Sequence, residues 1–441
     1  IDAEKASKQD LELLKKLVME FKDELDALGV KVDKIDKRVA VLEDGIGGWK
    51  IRGTFWFDAN FTGGDNHLYT ANGADTEFTK ERFRLFITKQ INENTSLYMQ
   101  QRYGEDGLGN GRGDMVGVKT THLYLDTKLP YDVNFRVGRF AVDFEGDYGF
   151  YDETDAFFSD YRIDGFQAKK SWGGLTATAI IGRNAARDLD GTIREATGNK
   201  DLLSGGWMNY VLDLHWQVNE KFFAGATGYW FVDDDTENLY NLNDDFGIKN
   251  YALYASYKFT PAVELMGIYN WQDNGDGAVV LADIVNGGNG TENKPKAWKA
   301  VLNLDQSLLK FTALRFEYMQ QDNMYIGNRD YYGWGTDNSS NGNYAHVLQN
   351  MPWNDNTTKV FFVRADQKWN DKWSSFIRYT QAKFDTDGID DAKEYGIAVK
   401  YQLNPAVAFR LGYDYVDNGE NTGNAYNGDD HVIQFRTTVN F

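Results

Sequence analysis

The sequence predicts an all-β fold, an antiparallel transmembrane β-barrel of about eighteen strands, with an N-terminal α-helical coiled-coil stalk. Three observations predict it: a heptad repeat confined to residues 1–46, a period-two alternation throughout residues 47–441, and a regular exchange of short turns with long polar loops. The two periods meet inside RVAVLEDGIGGWKIRGTFWFD, residues 38–58. Ahead of Gly47-Gly48 the apolar residues recur every three or four positions, and after it every two.

The helical part comes first. Leu11, Leu14, Val18, Phe21, Leu25, Leu28, Val32, Ile35, Val39, Leu42 and Ile46 alternate strictly in steps of three and four, the seam of a coiled coil. An ordinary packed helix drifts toward a 3.6 period and carries a wider apolar face. A seam this narrow needs partner helices, so the chain is expected to oligomerise. β-Branched residues and Leu mix at both core positions, which does not choose between two and three strands. At 1.5 Å per residue the segment makes a rod of roughly 54 Å.

Gly47-Gly48 lets the chain change direction without side-chain clash. Beyond it the odd positions read Trp49, Ile51, Gly53, Phe55, Phe57, Ala59 and Phe61, and the even ones Lys50, Arg52, Thr54, Trp56, Asp58 and Asn60. One face is apolar and the other polar. The pattern returns in segments such as RFRLFITKQ, VNFRVGRF, YALYASYKF, KVFFVRADQKW and VIQFRTTVNF. Short turns fall near Asn92, Pro130, Gly173, Asn219, Pro261, Ser307, Asn370 and Pro405, which makes eight hairpins and one further strand at each end. Sixteen strands is the alternative if one hairpin stands outside the membrane. Segments of about ten residues with short turns on one side and long loops on the other suit an outer-membrane barrel, apolar face to lipid and polar face to a lumen.

Composition agrees. Aromatics make up 15% of a chain whose mean hydropathy is -0.57, more than a modest core needs. The rings gather at strand ends: Trp49, Trp172, Trp216, Phe259, Trp369 and Trp373 by the short turns, and Tyr103, Trp230, Trp271, Tyr318 and Tyr415 by the long loops. A soluble sandwich or propeller also alternates but has no reason to sort its rings this way. A net charge of -19 argues against a nucleic-acid partner, and the absence of cysteine excludes disulfides, thiolate metal sites and cysteine nucleophiles. No run of 18 apolar residues encodes a membrane helix. A chain that opens at Ile1 without Met is expected to be processed or truncated.

Parity assigns the lumen. With Phe55 and Phe57 outward, Arg52 points inward, and so by the same rule do Arg82, Arg84, Arg102, Arg136, Arg315, Arg364, Arg378, Arg410 and Arg436. They are expected to form a basic wall where the two ends of the chain meet. The loop over residues 141–161, the third long one, carries Asp143, Glu145, Asp147, Asp152, Glu153, Asp155 and Asp160. Folded inward, as the third loop folds in general trimeric porins, it would oppose the wall and set up a transverse field. Inward rings Trp56, Phe86, Tyr98 and Tyr124 would suit a carbohydrate path instead, and the loop over residues 322–357 would suit a plug in a mainly structural tether.

Other motifs carry less. GLGNGRGD at residues 107–114 is glycine-rich but opens no helix, so it lacks the context of a phosphate loop. The stretches DTDGIDD and DNGDG lack full calcium-loop spacing, and the five histidines show no ligand pairing. No enzyme activity, cofactor or metal is expected.

The heptad stalk, the joint GIGGWKIRGTFWFD, the barrel pattern and a final Phe441 sharing a face with Val439, Thr437, Phe435 and Ile433 together resemble the OmpM-type tether porins. The resemblance implies a homotrimer and a passive channel for small hydrophilic solutes, in outer-membrane lipid and lipopolysaccharide, with its stalk in the periplasm. It also implies a cell-wall link through an S-layer-homology domain, which this sequence does not contain.

Overall fold

The computed structural model describes residues 48–69, 73–103, 118–151, 157–159, 161–184, 207–233, 247–276, 279, 289–310, 312–327, 346–348, 351–421 and 427–441, and Glu12, Leu13, Lys15, Lys16, Leu17, Glu20, Phe21 and Glu24. These last eight residues are helical, and Phe21 is exposed. The other core positions of the expected stalk, Leu11, Leu14, Val18, Leu25, Leu28, Val32, Ile35, Val39, Leu42 and Ile46, lie outside the described residues, as does GLGNGRGD.

The strands are β1 (Trp49–Gly64), β2 (Thr76–Asn92), β3 (Thr95–Tyr103), β4 (Val118–Leu129), β5 (Val133–Val142) and β6 (Tyr161–Trp172). They continue as β7 (Leu175–Asn184), β8 (Trp207–Asn219), β9 (Phe222–Asp233), β10 (Ile248–Thr260), β11 (Val263–Asn274) and β12 (Lys296–Leu304). The last are β13 (Ala313–Asp322), β14 (Thr357–Lys368), β15 (Trp373–Phe384), β16 (Ala392–Asn404), β17 (Val407–Asp417) and β18 (Asp429–Asn440). Each pairs antiparallel with its neighbours in sequence, and β18 pairs with β1, so one 18-stranded sheet closes on itself. All eight expected hairpins are present, and every one of them belongs to the closed sheet, which settles the count at eighteen rather than sixteen. Closure removes every sheet edge, which lets unpaired backbone groups be avoided in an apolar surrounding.

The seam between β1 and β18 explains the terminal residue. Gly53 and Phe441 exchange backbone hydrogen bonds of 2.6 and 3.0 Å, and the Phe441 ring lies over Gly53, where any side chain would collide with it. The ring then stacks on Phe83, 6.3 Å between centroids. Outward rows are apolar along most strands, as on β16 with Tyr395, Ile397, Val399 and Leu403, and the expected rings stand exposed near the short turns.

The barrel is not empty. Phe144, Phe150, Phe157 and Phe158 from the third long connection, and Met324, Tyr325, Ile326, Val347, Leu348, Met351 and Trp353 from the seventh, are buried against inward residues such as Phe140, Ile163, Tyr229, Tyr254, Met266 and Val360. Among the described residues an apolar core thus fills the part of the interior next to β5–β14.

Candidate pore constriction

Inward positions on β1–β5 make an arch of basic and aromatic side chains. They carry Lys50, Arg52, Arg82, Arg84, Arg102, Lys119, Lys128 and Arg136 against Asp58, Glu77 and Asp126. Arg84 stands directly opposite Arg102, and Trp56 opposite Arg82. The Arg82 guanidinium lies 3.7 Å and the Arg436 guanidinium 4.4 Å from the Trp56 ring centroid, so one indole serves two cations. Tyr98 stacks on Tyr124 at 5.0 Å, and Arg136 lies 3.9 Å from the Tyr124 centroid while donating to both oxygens of Asp126 at 2.7 and 3.0 Å. The inward rings thus alternate with guanidinium groups. Phe86 faces the lumen beside Arg52, its partner in register.

The remaining arginines sit in a different setting. Arg378 donates to Glu394 at 2.8 Å and to Asp414 at 3.0 Å, all three buried, and reaches Asp414 across the strand between them. Glycine makes that crossing possible, because a Cβ on Gly396 would strike Asp414 Oδ1 and Arg378 Nε. Arg436 holds Asp58 with two bonds of 2.7 and 2.6 Å, Arg364 holds Asp366 at 2.9 Å, and Arg410 donates to Gln434 at 2.8 Å. Arg315 binds Glu317 and also donates to the Gly149 carbonyl at 3.3 Å. The pairing of β1 with β18 makes both groups of arginines neighbours, as the position of the two chain ends requires.

The third long connection packs opposite the arch. Asp143 caps the turn Phe144–Asp147, accepting from the Gly146 amide at 2.9 Å and from the Tyr151 hydroxyl. Glu145 is buried and accepts from the amides of Phe157, Phe158 and Ser159 at 2.7, 3.0 and 3.3 Å, which clamps the two ends of the loop together. Burial pushes Glu145 above the ordinary glutamate range, against the pull of the Phe157 and Phe158 amides. Asp143 and Glu145 are therefore engaged within their own loop. Asp147 keeps solvent contact, but the protein packed around it partly desolvates its carboxyl and raises it against the pull of Lys169 and Arg136. It is the described carboxylate of this loop that addresses the arch; Asp152, Glu153, Asp155 and Asp160 lie outside the described residues.

A latch fixes the loop to the wall. The Tyr148 hydroxyl donates to Asp213 at 2.6 Å, and Tyr254 and Thr227 donate to the same carboxylate at 2.9 and 2.7 Å. The Tyr148 ring stacks on His215 at 4.3 Å. Lys299, buried beside Glu317 at 3.2 Å, donates to the Phe150 carbonyl. Sequence reasoning missed Asp213, Lys299 and Glu317, although parity marks each as an inward charge; Asp213 sits between the outward Leu212 and Leu214.

No protein-family profile matches the sequence, and no curated protein matches it. Solved structures do match in fold. OccK10 of Pseudomonas aeruginosa aligns at a TM-score of 0.53 and 14% identity, covering 89% of this chain and 99% of its own. The fold is that of the outer-membrane porins. OccK11 of the same organism gives 0.52 at 9% identity over 89% and 96%, and OccD3 gives 0.50 at 12% over 89% and 91%.

Proposed function

We propose that the chain is an outer-membrane porin passing small hydrophilic solutes by diffusion along the Arg-rich arch, with anions favoured. One observation carries the reading: a closed barrel whose interior is filled on one side and, among the described residues, lined on the other by more basic than acidic side chains. Fixed cations lining a narrow path raise the local concentration of anions, and low-dielectric walls focus that field. Residues 1–46 form the periplasmic coiled-coil stalk of a homotrimer in this reading, residues 47–441 the barrel, and a longer parent chain would link it to the cell wall.

Purified, detergent-folded protein in a planar bilayer is expected to give large currents that close in three equal steps. Absence of current from folded, heat-resistant oligomers would overturn the porin reading. It would favour the second reading, a structural tether with a closed barrel, which the inward packing of Met324, Tyr325 and Ile326 supports.

A further inference from the structure

We propose that the outer face of β3–β7, centred on Arg139 and Asp164, is where a second copy of this chain docks. The proposal rests on the porin reading above, in which the remaining outer face meets lipid.

Between the girdles most outward rows are unbroken and apolar, for example Tyr251, Leu253, Ala255, Tyr257 and Phe259 on β10. On β3–β7 the row is broken on every strand. Gln101 faces Thr120 across β3 and β4, Arg139 faces Asp164 across β5 and β6, and Asp164 faces Arg183 across β6 and β7. Their outward direction follows from their neighbours: Phe166 and Ile181 are exposed, while Phe140, Ile163 and Ile180 are buried inside. Arg139 donates to both Asp164 oxygens at 2.8 and 2.7 Å, and Asp164 keeps 53% of its side chain exposed.

Depth makes this belt unusual. Arg139 lies six residues above Val133, the first residue of β5. At about 3.3 Å per residue on a strand tilted by about 40°, that is roughly 15 Å up an apolar band of about 25 Å. A half-exposed ion pair at that height is poorly solvated by hydrocarbon, and charges on a lipid face destabilise a barrel. Protein cover resolves the conflict by supplying polar partners to groups that acyl chains leave bare.

The heptad repeat points to a second copy as the occupant. Its last core residue, Ile46, lies three positions before Trp49, where β1 begins. Self-association of that segment would gather copies beside β1, and β1 is followed around the barrel by β2 and then by the belt.

A chain without cysteine allows single-site labelling. Gln101→Cys and Leu253→Cys, each carrying bimane, would be reconstituted in vesicles of brominated phosphatidylcholine. The Leu253→Cys label should lose at least half its emission, and the Gln101→Cys label less than a quarter. Equal, strong quenching at both would overturn the interface while upholding the membrane reading; quenching at neither would overturn both. In a second test, Arg139→Leu with Asp164→Leu should raise the protomer fraction in native mass spectrometry at least tenfold while the barrel keeps its heat-modifiable mobility. An unchanged oligomer would overturn the role given to the pair.

Discussion

The arch on β1–β5 and the wall on β13–β16 both set arginine opposite arginine across the sheet, Arg84 with Arg102 on one and Arg315 with Arg364 and Arg364 with Arg378 on the other, yet the two differ in the carboxylates placed beside them. On the wall Arg315, Arg364 and Arg378 each meet carboxylates on adjacent inward positions, and Arg378 meets two. On the arch Arg84 faces Arg102 and Arg82 faces Trp56, and among the described inward side chains cations outnumber three carboxylates. The same residue type therefore ties strands together in one region and charges the lumen in the other. Carboxylates two positions along the same strand, as Glu317 and Asp366, or on the next strands, as Glu394 and Asp414, decide which.

The largest effect should come from breaking the wall. Arg378→Leu leaves Glu394 and Asp414 buried beside one another without their cation, and the barrel should lose about 3–5 kcal/mol of stability in urea unfolding from detergent. Wild-type stability in that variant would show the wall to be as solvated as the arch. Gly396→Val should cost about 1–3 kcal/mol by the same assay, since its side chain must displace the Arg378–Asp414 bridge.

An intermediate effect is expected at the latch. Asp213→Leu strands the hydroxyls of Tyr148, Tyr254 and Thr227, at a cost of about 1–3 kcal/mol, and frees the loop from β8 and its neighbours. Single-channel conductance should rise and become noisier. A quiet, unchanged channel would show that Glu145 and the apolar packing hold the loop alone. Changes on the arch should affect stability least, within about 0.5 kcal/mol for Arg84→Gln, while altering selectivity most.

Much of this architecture is legible in the sequence, because the strand period is strict and every hairpin turn is marked by Gly, Pro, Asn or Ser. Parity also places Arg52, Arg82 and Arg378 on the inner face. Same-strand pairs such as Arg315 with Glu317 and Arg364 with Asp366 are legible two positions apart, but partners on other strands are not: Asp414 is 36 positions from Arg378, and Asp58 is 378 from Arg436. The acidic loop shows the same limit. Its composition suggests a row of charges facing the pore, but Glu145 turns back onto the amides of its own loop, and local charge gives no sign of that. That residues 141–161 fold inward and that residues 322–357 suit a plug is legible, but which of their apolar residues build the interior core is not, because these segments have no period.

The most direct test is the zero-current potential across a potassium chloride gradient, measured for the wild type, for the arch variant Arg82→Gln with Arg84→Gln and Arg102→Gln, and for the wall variant Arg364→Gln. The predicted result is anion preference in the wild type, a permeability ratio near unity in the arch variant, and wild-type selectivity in the wall variant. Cation preference in the wild type, or an equal loss in both variants, would contradict the division of the lumen into a charged arch and a neutralised wall.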